Sequence, residues 1–148
     1  MKEYKSNITT YRLVKEPCEI KKVKITKSAE IAEYCRAFWH DDIGIYESFF
    51  LLLMNRANNT TGYVKISQGG VSGTVADLKI IMKYAIEGLA AAVAVVHNHP
   101  SGNMKPSQAD IELTKKINDS CKLMDIALLD HLVITEESYF SFADEGLL

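Results

Sequence analysis

The chain reads as an α/β (α+β) sandwich, a mixed β-sheet with helices packed on it, on three grounds. Two stretches, 49–54 and 90–96, are apolar at every position, as expected of strands covered on both sides. Three other stretches carry apolar residues at helical spacing, and the two patterns interleave along the chain. The 148 residues are 47% hydrophobic and 24% charged with no evident linker, which fits one domain able to form a core without metal or disulfide staples.

The first 20 or so residues look like a weakly specified arm, and the expected division is an arm at 1–28 followed by a domain at 29–148. Val23-Lys24-Ile25-Thr26 alternates as a short strand. Ser28 offers an N-cap to a helix whose apolar positions are Ile31, Cys35 and Phe38, and Asp41-Asp42-Ile43-Gly44 breaks it. The apolar strand follows from Glu47, ending in a turn at 55–59. A second strand at 62–68 runs into the glycine-marked segment 69–73. Leu78, Ile81, Met82, Ala85, Ile86 and Leu89 mark one face of the next helix. The β-branched run 90–96 is a buried strand that delivers His97-Asn98-His99 at its carboxyl end. Pro100, Gly102 and Pro106 make a loop, and Ser107 caps a helix carrying Leu113, Ile117, Cys121 and Met124. Strands at 126–135 and 139–142 close the chain.

Charge and cysteines exclude some classes. Lys plus Arg number 17 against 19 Asp plus Glu, a net charge of −2, so no strongly basic nucleic-acid footprint dominates. Cys18, Cys35 and Cys121 are odd in number and widely spaced, and the polar opening carries no secretory leader. The apolar runs fall short of the ~20 residues that span a bilayer. These features suit a cytoplasmic protein without a membrane anchor.

The chemistry concentrates in one place. His97 and His99 are two apart at a strand end, so in extended geometry both imidazoles point to the same side. Asp110 falls in the first turn of the following helix, and the prolyl loop can fold its carboxylate back toward them. Two imidazoles and a carboxylate with a fourth position open are the zinc pattern of hydrolases, whereas structural zinc sites are closed and cysteine-rich. Iron, cobalt or manganese suit similar ligands. A plainer reading of the same letters has the histidines bonding loop carbonyls and Ser107-x-x-Asp110 forming a capping box. The two readings are compatible.

His97-x-His99, seven residues, Ser107, two residues, Asp110 resembles the signature of JAMM (JAB/MPN) metalloproteases. The fuller text His97-Asn98-His99-Pro100-Ser101-Gly102 with Pro106-Ser107 resembles the RadC family, as do Gly73-Thr74-Val75, Asp130-His131 and Tyr139-Phe140-Ser141-Phe142. The resemblance covers about residues 30–148 and implies a cytidine-deaminase-like, JAB/MPN three-layer sandwich. It also implies zinc on His97, His99 and Asp110, a metal-activated water, Glu47 as general base, Ser107 on the developing oxyanion, and hydrolysis of a peptide or isopeptide bond in a peptide or protein substrate. A carboxylate at the mouth of an apolar strand is costly unless paired, solvated or working, which agrees with that role for Glu47; an exposed strand start is the plainer alternative. Asp77 and Glu87 are alternatives only in principle. Asp130-His131 could support a metal histidine, but the preferred reading is a buried pair fixing strand register. The family also carries a DNA-repair label, tied to an amino-terminal helix-hairpin-helix-like region that 28 residues are too few to form. A DNA-associated binding module with structural or vestigial metal is therefore the second function class.

Overall fold

In a computed structural model, which describes residues 7–9, 21–70 and 75–148, the predicted alternation of elements is present. The elements are α1 (Ser28–Phe38), β1 (Ser48–Met54), β2 (Thr60–Gln68), α2 (Leu78–Glu87), β3 (Ala92–Asn98), α3 (Gln108–Leu123), β4 (Ala127–Ile134) and β5 (Tyr139–Ser141). The five strands form one mixed sheet in the order β2-β1-β3-β4-β5. Only β3 and β4 run parallel, joined through α3, because a parallel pair needs a crossover long enough to hold a helix. The expected arm falls largely outside the described residues, as does most of the glycine-marked segment after β2. Among the described residues no helix is long and apolar enough to cross a membrane.

Every residue of β1 and β3 is buried, and the reason is the strand period of two. Phe50, Leu52, Met54, Ala94 and Val96 point to one face and pack with Ile31, Cys35 and Phe38 of α1. Phe49, Leu51, Leu53, Val93 and Val95 point to the other and pack with Ile81 and Ala85 of α2 and Ile117 and Cys121 of α3. The sheet thus lies between two helical layers, a three-layer sandwich. Leu52 has no exposed surface, so Leu52→Ala is expected to cost about 2–5 kcal/mol of stability in urea unfolding, the usual range for an unfilled core cavity.

Some local expectations differ. The segment at 23–26 makes a single antiparallel bridge, Lys24 with Asn59, rather than a strand. Ser28 lies inside α1 instead of capping it; the Glu30 carboxylate accepts from the backbone N–H groups of Thr26 and Lys27. The Ser28 hydroxyl donates instead to the Asp144 carboxylate at the far end of the chain. The predicted stripe on α2 overran its helix. Leu89 lies beyond it at φ 51°, where a left-handed residue ends the turn, and its side chain is exposed along with that of Ile86. Met124, likewise, is the exposed C-cap of α3.

Candidate metal centre

The strand period that sorts the core also aims the histidines. His97 shares the face of Val93 and Val95, and His99 follows two residues on, its backbone N–H held by Ile134 O at 3.1 Å. Their Nε2 atoms lie 3.0 Å apart. A loop at 99–107 then turns the chain back, with Gly102 at φ 80°, and Asn103 O accepts from Nδ1–H of His99 at 2.6 Å. That bond makes Nδ1 the donor and turns the His99 Nε2 toward His97.

Asp110 arrives from the first turn of α3. The Ser107 hydroxyl accepts from Asp110 N–H at 3.1 Å, and Asp110 Oδ2 accepts from Ser107 N–H at 2.7 Å, closing the predicted capping box. The same carboxylate puts Oδ1 3.4 Å from His97 Nε2 and Oδ2 3.6 Å from His99 Nε2. Capping and facing the histidines are therefore one geometry. Glu47 comes from the end of the loop before β1, and its carboxylate shares with His97 and His99 a set of donor atoms all within 4.8 Å of one another.

Asn98, between the two histidines, explains how Glu47 is held, and no periodicity marked it. Pointing to the other face, its amide donates to Ile43 O at 2.6 Å and Tyr46 O at 2.7 Å, while Oδ1 accepts from Ser48 N–H at 2.7 Å. Fully buried, it clamps both flanks of Glu47. Asn98→Leu, similar in size, would leave those groups unpaired. The expected cost is about 3 kcal/mol or more in urea unfolding, and Asn98→Asp should fare no better, because it sets a charge against two carbonyls.

The electrostatics suit a cation. Burial raises the Asp110 carboxyl, but the His97 and His99 imidazoles beside it outweigh that effect and hold the group well below the usual carboxylate range. His99 is raised, chiefly by the Asp110 carboxylate beside it. Glu47 is raised by burial, partly offset by the two histidines. Asp110 thus faces both imidazoles, and Glu47 shares with the same two a Glu47, His97, His99 cluster that could hold a metal ion; the nitrogen and oxygen donors fit a borderline divalent cation such as zinc.

Asp77, Glu87, His40 and Cys121 stand apart from this cluster. Asp77 caps α2 by accepting from Lys79 N–H, and Glu87 pairs with Lys83 at 3.0 Å. His40 is exposed at the end of α1. Cys121 is a core residue whose thiol burial pushes up to about 11. The preferred reading of Asp130-His131 holds for only one of the two. Asp130 fixes the chain's last turns, accepting from Ser141 Oγ at 2.6 Å and Ala143 N–H at 3.0 Å. His131 points to the opposite face, where its Nε2 meets His97 Nδ1 at 2.7 Å.

Beside the cluster lies a hollow of about 480 Å³ lined by Glu47, His99, Ser101, Lys105 and Ser107. A second, of about 270 Å³, shares His99 and Pro100 with it and is lined further by Ile43, Met104, Glu136 and Glu137. His99 and Pro100 stand between these two hollows, both of them open.

A three-layer sandwich with a His-x-His strand end and converging carboxylates defines an α/β protein of the JAB type with a candidate metal centre. The chain belongs to the RadC family: the model of the RadC-like JAB domain matches residues 25–147. It is 42% identical over 102 residues to a UPF0758 protein of Flavobacterium johnsoniae, covering 69% of this chain and 44% of the relative. A UPF0758 protein of Porphyromonas gingivalis is 45% identical over 103 residues, covering 69% of this chain and 45% of the relative. The matches thus span less than half the length of these relatives.

Proposed function

We propose that the chain is a zinc-dependent hydrolase of the JAMM type that cleaves a peptide or isopeptide bond, with residues 29–148 as its hydrolytic domain. The observation that carries this reading is the convergence of Glu47, His97, His99 and Asp110 beside an open hollow. In it, His97, His99 and Asp110 hold the metal and Glu47 is left to move protons. Zinc so held would supply Lewis acidity, polarising a carbonyl and lowering the pKa of a water.

The remaining work falls to side chains. Glu47 takes a proton from the attacking water as its oxygen bonds to the carbonyl carbon, and gives that proton to the leaving nitrogen as the C–N bond breaks. Burial favours this exchange by bringing the carboxyl's proton affinity up from its ordinary value. Ser107 Oγ accepts from Asp110 N–H, so its own O–H stays available to donate to the carbonyl oxygen as that atom gains charge. The open hollow beside Glu47 and His99 offers room for a peptide segment or a lysine-linked branch. A reducing compartment such as the cytoplasm agrees with Cys35 and Cys121 being buried thiols.

The test is hydrolysis of a panel of peptide-linked and lysine-ε-linked substrates by the zinc-loaded and the chelator-stripped chain, following release of new amines. Cleavage by the loaded chain alone is expected. A loaded chain that is inert across the panel would sink the reading and favour the binding-module class.

A further inference from the structure

Behind His97 runs a buried chain of hydrogen bonds whose direction can be read from its far end. The Thr114 hydroxyl, one turn along α3 from Asp110, lies 2.6 Å from Asp110 O. A carbonyl only accepts, so the hydroxyl spends its one proton there. The same hydroxyl oxygen lies 2.6 Å from His131 Nδ1 and therefore accepts from Nδ1–H. A neutral His131 then has a bare Nε2, which accepts from His97 Nδ1–H at 2.7 Å. His97, in turn, keeps a bare Nε2 facing His99 and Asp110. Packing locks the rings in place: Phe142 stacks on His131 at 4.6 Å and 8°, and Phe49 stacks on His97 at 5.9 Å and 12°. Thr114, His97 and His131 are all buried, so water has little access to reverse the sequence of donors.

We propose that Thr114 and His131 are positioning residues that fix His97 as its Nδ1–H tautomer, so that α3 sets both the placement of Asp110 and the readiness of His97 to bind metal. The opposite tautomer would put a proton where the metal belongs. This inference rests on the zinc reading above.

Two measurements test it. In the metal-free wild-type chain, long-range 1H–15N correlation spectra report which ring nitrogen carries the proton; Nδ1–H is expected for both His97 and His131. Zinc affinity is then measured by chelator competition for the wild type, Thr114→Val and Thr114→Ser, beside the melting temperature of each metal-free chain. Thr114→Val, equal in shape but unable to accept from His131, should bind zinc about 10- to 100-fold more weakly, the usual effect of losing a partner behind a ligand. Thr114→Ser, which keeps the hydroxyl, should restore most of that loss. An Nε2–H tautomer at either histidine in the wild type, or zinc affinity unchanged in Thr114→Val, overturns the proposal while leaving the hydrolase reading intact. A folded wild type without zinc affinity overturns both.

Discussion

Asp110→Asn should abolish stoichiometric zinc binding while leaving the fold in place. The amide keeps the carboxylate's shape and can still accept from Ser107 N–H, the bond that anchors the group at 2.7 Å. What it loses is the negative charge beside His97 and His99. The loss should exceed the ~100-fold that removal of an outer partner costs, because this group is assigned to the metal itself. Elemental analysis after zinc loading and exhaustive desalting reads it directly: about one zinc per wild-type chain, and a small fraction of that in the variant. Zinc retained in full by Asp110→Asn would remove Asp110 from the ligand set.

Glu47→Gln should do the opposite, keeping zinc and losing hydrolysis. Removing a positioned proton carrier costs about 10²- to 10⁴-fold in rate. The pair of variants also decides how the two carboxylates divide their work. Glu47, His97 and His99 have donor atoms within 4.8 Å of one another, so on distance alone Glu47 is as near the histidines as a ligand would be. If Glu47→Gln loses zinc in the same analysis, Glu47 is a ligand and the proton carrier must be sought elsewhere.

What the sequence made legible was local. His97-x-His99 works at a strand period, and Ser107-x-x-Asp110 at the spacing of a first helical turn, so both could be placed without tertiary knowledge. The buried character of β1 and β3 was readable too, since a run apolar at every position has few homes other than a sheet covered on both faces. Asn98 and Thr114 were not marked by any such signal. Their partners lie at Ser48, Ile43 and His131, brought near by strand pairing and helix packing, and a polar residue carries no label naming its partner. His131 was visible as a candidate, yet choosing between strand register and support of His97 required the β3–β4 register, in which Val95 stands opposite His131. The overrun at Leu89 has a similar cause: an apolar letter at the right interval says nothing of where the backbone turns left-handed.

Three consecutive residues at the end of β3 serve both sides of the sheet, His97 and His99 toward one helical layer and Asn98 toward the loop that carries Glu47. The proposed metal ligands and the proposed proton carrier are consequently cast as one block. A one-residue insertion just before His97 would exchange their sides together, and no drift in the loop alone could retune one without the other. Transplanting such a centre onto another sheet would require a tripeptide at a strand end, a Ser-x-x-Asp helix start and a clamped neighbouring loop. That short specification can be tried on an unrelated scaffold.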